Sequence, residues 1–248
     1  MKKQGFNSKE QSSVRLNKYL SNAGICSRRE ADKHITEGHV KVNGNVVTNL
    51  GEKIPQHAKV EFKGQVVQGQ KNKYILLNKP KDVVTTMDDP GSRHTVHDII
   101  KHAVSERVYP VGRLDRNTTG LLLLTNDGDL TQRLLHPKYN KKKIYHVGLD
   151  KPVDPKDMGI INKGIELEDG FIKADKLAYV HDNKTEVGIE IHSGKNRIVR
   201  RIFEYLGYKV KKLDRVYFAG LTKKNLPRGK YRELKPNEIN MLKSGKFK

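Results

Sequence analysis

Tryptophan is absent and cysteine occurs once, at Cys26. A single thiol can build neither a disulfide framework nor a cysteine-based zinc site within the chain. No apolar run approaches the ~20 residues of a membrane span. Residues 1–13, MKKQGFNSKEQSS, lack the apolar core of a secretory signal. A cytoplasmic location is expected, with no membrane partner. Two phosphate cradles are also missing. No G-x-G-x-x-G follows a strand-like run, and no G-x-x-x-x-G-K-[ST] occurs, so dinucleotide and nucleoside-triphosphate chemistry lack their usual site. The ten histidines are scattered. His94 and His97 form the most suggestive pair, but they lack a nearby third ligand and read as surface residues. No metal and no cofactor is expected. Acidic residues are scarce: 28 against 49 Lys plus Arg over 248 residues, a formal charge of +21. That excess points to a polyanionic partner, with nucleic acid ahead of a membrane surface. Aromatics make up 6% of the chain, so any base stacking must come from Tyr or Phe.

Residues 1–13 are polar and without period, and are read as a flexible tail. A compact unit follows over residues 14–63. Leu16, Tyr19, Leu20 and Ala23 fall at helical spacing, and Gly24 stops that helix. Ser27-Arg28-Arg29-Glu30 has the form of a capping box opening a second helix, with Ala31 and Ile35 inward and Gly38 at its end. Val40 and Val42 alternate into Asn43-Gly44, a hairpin signal, and Val46-Val47 lead out. Arg28, Arg29 and Lys33 put a basic face on the second helix. Such a face serves RNA phosphates or is simply solvated; the charge of the whole chain favours RNA. Residues 64–72, polar and Gly/Gln-rich, read as a linker.

Residues 73–245 read as a second, larger domain. Tyr74–Asn78 and Val83–Thr86 are expected strands on either side of a Lys79-Pro80-Lys81-Asp82 turn, and Val96–Ile100 starts a helix. Residues 109–130, YPVGRLDRNTTGLLLLTNDGDL, give a strand, a charged turn, a short apolar run suited to a buried strand, and the Asn126-Asp127-Gly128 turn. Asp115 therefore sits on a polar loop between hydrophobic strands. Either it is a solvated turn residue, or it is a held carboxylate in need of a cationic partner. Tyr145 lies on a strand after the basic run Lys141–Lys143, where it can stack on a base or pack into the core. Residues 192–196, HSGKN, open a helix with an apolar stripe of Ile198, Val199, Ile202, Phe203 and Leu206. Arg200 and Arg201 flank that stripe on opposite edges, and the spacing alone does not choose between them as a partner for Asp115. Strands outnumber helices and alternate irregularly with them. The expected class is α+β on a largely antiparallel mixed sheet, preceded by the small helix–hairpin unit.

The stretch RLNKYLSNAGICSRREADKHITEGHVKVNG resembles the RNA-binding domain named after small-subunit ribosomal protein S-four, the alpha-L motif. Four further stretches resemble the pseudouridine synthases of the RsuA/RluB/RluE/RluF branch. They are YILLNKPKDVVTT, YPVGRLDRNTTGLLLLTNDGDL, KKKIYHVGL and SGKNRIVRRIFEYLGYKVKKLDRV, in the family order. The resemblance implies a cofactor-free isomerisation of a uridine in ribosomal RNA. It matches Asp115 to the catalytic aspartate, Arg200 to the arginine paired with it and Tyr145 to the tyrosine beneath the target base. Arg113 matches an arginine that helps hold the flipped-out state. Arg197 and Arg201 join Arg28, Arg29 and Lys33 as expected RNA contacts. The substrate implied is ribosomal RNA, most closely 23S of the large subunit, as free RNA or in a pre-ribosomal particle, with the protein a monomer. A 16S enzyme of the RsuA type and a non-catalytic assembly factor are the alternatives. Asp82 stands where the family turn has glycine, and Ile198 where glutamine is common.

Overall fold

A computed structural model describes residues 13–245. The described residues divide into two compact units, with the boundary between residues 71 and 72. The first unit begins with β1 (Ser13–Arg15), α1 (Leu16–Asn22) and α2 (Arg28–Thr36). The capping box forms: Ser27 Oγ accepts from Glu30 N at 3.2 Å, and Ser27 N donates to Glu30 Oε2 at 2.6 Å. Next come β2 (Val40–Val42), β3 (Asn45–Val46), β4 (Lys53–Pro55), β5 (Val60–Phe62) and β6 (Gln65–Val66). They pair as β3-β2-β5-β6, with β4 against β1. Leu16, Leu20, Ala31, Ile35, Val40, Ile54, Val60 and Val67 share one buried core.

Two boundaries differ from expectation. Ser13 is the one residue of the 1–13 tail within the described residues, and it pairs with Pro55. The stretch 64–72 begins not as a linker but as β6, because Gly64 takes the left-handed turn that folds residues 65–66 back onto β5 and buries Val67.

The second unit contains β7 (Tyr74–Lys79), α3 (Val96–Ile100), β8 (Tyr109–Pro110), β9 (Thr119–Thr125), α4 (Gly128–Leu135), β10 (Lys143–Leu149) and α5 (Pro155–Lys163). It continues with β11 (Ile165–Leu167), β12 (Gly170–Ile172), β13 (Lys176–Val180), β14 (Asn183–Ile191), α6 (Ile198–Tyr205), β15 (Val210–Phe218), β16 (Leu221–Thr222), β17 (Tyr231–Glu233) and α7 (Pro236–Ser244). Among the described residues the main sheet has nine strands. Seven run β13-β14-β10-β15-β9-β7-β17, with β16 added to β15 and β8 to β9. The strands pair antiparallel except β9 with β15, which run parallel.

β9 is a run of leucines because both of its faces are buried. Leu121 and Leu123 enter the core that includes Leu130 and Phe218, while Leu122 and Leu124 enter the one that includes Val96 and Ile100. A third core joins β10 and β14 to α5 and α6. Val83–Thr86 is not a strand. Only Val84 makes a bridge, to Thr95, because the backbone turns at Asp82 (φ 64°) and Thr85 directs its hydroxyl to another loop. The closing helix α7, with Pro236 in its first turn and Glu238 accepting from Lys235 N, lies beyond the last element that the hydrophobic pattern predicts.

Candidate active site

The loop between β8 and β9 is fastened on several sides. Thr85 Oγ1 donates to Leu114 O at 2.7 Å and accepts from Leu114 N at 3.3 Å. Lys79 Nζ, fully buried, donates to Pro80 O at 3.0 Å and Arg116 O at 3.2 Å, and Asp82 N donates to the same Arg116 carbonyl. Thr118 N closes a turn onto Asp115 O at 3.0 Å. Gly120 then lets β9 meet β15: a Cβ there would lie 2.3 Å from Arg215 O, and its φ is +104°. Asp115 is thus held at both neighbours while its carboxylate stays 39% exposed.

The cationic partners come from α6 and from Arg197, the residue that opens the helix. Its apolar stripe is buried, and the residues turned to the stripe's edge point back at the loop. Arg200 Nε and Arg197 Nη1 each lie 3.8 Å from Asp115 Oδ2. These are ion-pair distances, longer than a hydrogen bond. Arg200 is buried; its Nη1 donates to Val210 O at 3.1 Å, and its Nε has no hydrogen-bond partner. Burial first, then the Arg197 cation, push the Arg200 guanidinium below its ordinary value, against the pull of Asp115 and Glu204. Arg201, on the other edge, grips Asp169 with both nitrogens at 2.9 and 2.7 Å. That fork holds the Asp169 carboxyl down at about 2. Arg201 is taken up by Asp169 while Arg200 faces Asp115, so the choice left open between the two arginines falls to Arg200 by geometry.

The floor is the sheet. Tyr145, half-buried on β10, stands across from Arg215 on β15 and packs against two of the cores. A cavity of about 300 Å³ is lined by Asp115, Tyr145, Lys143, Arg113, Arg197 and Arg215, among others. A neighbouring recess of about 460 Å³ shares Arg113, Asp115 and Arg197 and reaches Thr85 and Arg116. One carboxylate among several cations suits a negatively charged ligand that presents its reacting group to that carboxylate.

Lys143, Arg215, Lys79 and Thr85 were not singled out by sequence. Lys143 Nζ donates to His192 O at 2.9 Å and Ser193 O at 3.2 Å, fixing the loop before α6. Burial and the nearby Arg215 lower its ammonium to about 8. Burial lowers Lys79 to about 8 as well, although Asp115 and Asp82 oppose the shift. Arg215 is buried, donates from Nε to Leu121 O at 2.8 Å, and has an Nη2 without a partner. For Lys79 the available signal was a basic residue at the end of a largely apolar strand. In the N-terminal unit, Arg28, Arg29 and Lys33 are exposed along α2, and Arg28 reaches Asn17 Oδ1 at 3.3 Å. His94 pairs with Asp98. Among the described residues the grouping able to hold a metal is His34, Glu37 and His39, in the N-terminal unit.

A family model described as RNA pseudouridylate synthase matches residues 73–205, and one described as S4 domain matches residues 14–60. An RNA pseudouridine synthase of Aquifex aeolicus is 45% identical over 233 residues, covering 92% of this chain and 93% of that protein. The ribosomal large subunit pseudouridine synthase B of Bacillus subtilis is 42% identical over 235 residues, covering 93% and 96%. A crystal structure of a pseudouridylate synthase superposes with a TM-score of 0.66 at 30% identity, covering 92% of this chain and 99% of that one.

Proposed function

The chain belongs to the RNA pseudouridylate synthase family, and on that footing we propose that it isomerises a uridine of 23S ribosomal RNA, with Asp115 as the catalytic carboxylate. The observation that carries the role of Asp115 is the convergence of Arg197 and Arg200 on its Oδ2 at the wall of a cleft lined by Tyr145. A carboxylate that faces two guanidinium groups and is anchored through Leu114 and Arg116 is equipped for either of two steps at a sugar. It can attack the anomeric carbon, or it can remove the neighbouring 2′ proton. In both, the N1–C1′ bond breaks with its electron pair leaving on the uracil. The freed base turns and C5 bonds to C1′ as the aspartyl ester leaves or the 2′ proton is returned; the C5 proton is then lost and a proton ends on N1. Nothing enters or leaves, so the reaction is an isomerisation.

Tyr145 lies under the base in this reading, its ring stacking on the flipped uracil. Extruding a base costs a few kcal/mol, which stacking and phosphate contacts must offset. Arg113, Arg197 and the exposed Arg28, Arg29 and Lys33 provide those contacts, and Arg201 serves through the Asp169 clamp. The large-subunit assignment rests on the similarity to the Bacillus subtilis enzyme over nearly the whole of both chains. The enzyme acts as a monomer in the cytoplasm, on free RNA or a pre-ribosomal particle.

The test is two-part. Asp115→Asn, in purified protein with ribosomal RNA transcripts, is expected to lose roughly 10³-fold or more in turnover while still binding RNA. Full conversion by that variant refutes the role of Asp115. Mapping pseudouridine in ribosomal RNA from cells with and without the protein is expected to show loss of a large-subunit position. Loss confined to the small subunit refutes the assignment to 23S.

A further inference from the structure

The end of α2 carries a second chemical grouping, apart from the cleft. The helix closes in a Schellman motif. Gly38, with φ +74°, donates from N to Ile35 O at 2.9 Å, and His39 N donates to His34 O at 3.0 Å. That motif brings together the side chains on either side of the glycine, and a hydrophobic contact usually fills the place where they meet. Here it is filled by two imidazoles and a carboxylate. His34 Nδ1 and His39 Nδ1 are 3.3 Å apart, and Glu37 Oε2 lies 3.3 Å from the first and 3.2 Å from the second. The triangle is held from behind. The His34 ring meets Phe62 edge-on at 5.0 Å between centroids, and Lys63 N donates to His39 O at 2.9 Å.

We propose that His34, Glu37 and His39 form a binding site for a divalent transition-metal ion of the zinc class. In a tetrahedral zinc site, bonds of roughly 2.0–2.1 Å set the ligand atoms about 3.3–3.4 Å apart. The three edges of this triangle match that spacing without rearrangement. With the ring protons on Nε2, three lone pairs face one another at these distances, and a single cation satisfies all of them. Two imidazoles and one carboxylate are a donor set zinc accepts, leaving a fourth position for water. Imidazole also suits copper and nickel, whereas magnesium and calcium prefer oxygen-only shells. Glu37 is 54% and His39 41% exposed, so an ion has an open approach. The site staples the end of the basic helix α2 to the start of β2.

The experiment is equilibrium titration of the full-length chain, freed of any affinity tag, with zinc against a chromophoric chelator. Cobalt substitution is read in the visible spectrum. The expected result is one ion per chain at micromolar affinity, tetrahedral cobalt bands, and no displacement by excess magnesium. His34→Ala and His39→Ala, and the exposed Glu37→Gln, each weaken uptake at least tenfold. His94→Ala leaves uptake unchanged, and zinc raises the melting temperature of the parent but not of His39→Ala. No saturable uptake by the parent overturns the proposal, and so does uptake that survives in either histidine variant.

Discussion

Lys143 sits where a strand residue would ordinarily be apolar, and its charge is the least secure in the cleft. Its ammonium, ordinarily near 10.5, is lowered to about 8 by burial and then by Arg215, with Asp175 opposing. Between those two values the unfolded chain holds a proton that the folded chain has released. Raising the pH from about 8 toward 10.5 therefore favours the folded state through this group, and below about 8 that advantage is absent. RNA binding runs the other way, because the cleft loses a cation above about 8. RNA affinity at fixed salt is expected to weaken several-fold between pH 7 and 9 in the parent. Lys143→Met is expected to bind more weakly at pH 7 and to respond less. An equal pH response in both proteins contradicts this account. Asp82 adds a different lesson at the same scale. It occupies a left-handed position (φ 64°) where glycine would meet no steric cost, and Arg116 Nε stands 3.4 Å from its carboxylate. The departure from the family's glycine was visible in the sequence. The compensation was not, because Arg116 is thirty-odd positions downstream.

At the scale of elements, the parallel join of β9 and β15 decides whether a site exists. Gly120 permits it. An alanine there would face Arg215 O at 2.3 Å and Asp214 Oδ1 at 2.5 Å on a backbone at φ +104°. Adding backbone strain to overpacking, Gly120→Ala is expected to cost roughly 3–5 kcal/mol of stability, read by urea unfolding. A loss under about 1 kcal/mol contradicts the packing described. β9 was legible because four leucines bounded by turn residues have few other fates. The capping box of α2 was legible because it is written in local residue types. Val83–Thr86 has the composition of a strand, but its backbone partners lie in other loops, at His94 and through Thr85 at Leu114. The choice of Arg200 over Arg201 needed the position of Asp169, a tertiary fact. The spacing His34-x-x-Glu37-x-His39 was present in the sequence, but only the Schellman turn shows that it folds into a triangle.

Across the whole molecule, the basic excess is unevenly employed. Arg201, Arg93 and Arg232 are forked onto Asp169, Asp89 and Glu238. Arg29 and Lys33 lie exposed on α2. No helix among the described residues is long and apolar enough to cross a membrane. If the exposed cations meet phosphate, Lys33→Ala should weaken RNA binding about equally across sequences. It should also reduce the slope of log K against log salt by roughly 0.7–1, measured between 50 and 200 mM. An unchanged slope would remove Lys33 from the interface. The parallel join has a further consequence in time. Arg215 reaches Leu121 across 94 residues of chain. At about 5–20 residues per second, Asp115 and its leucine strand leave the ribosome roughly 5–20 s before β15, the strand that runs parallel to β9. Until residues 197–200 follow, the nascent chain carries the carboxylate without Arg197 or Arg200 beside it.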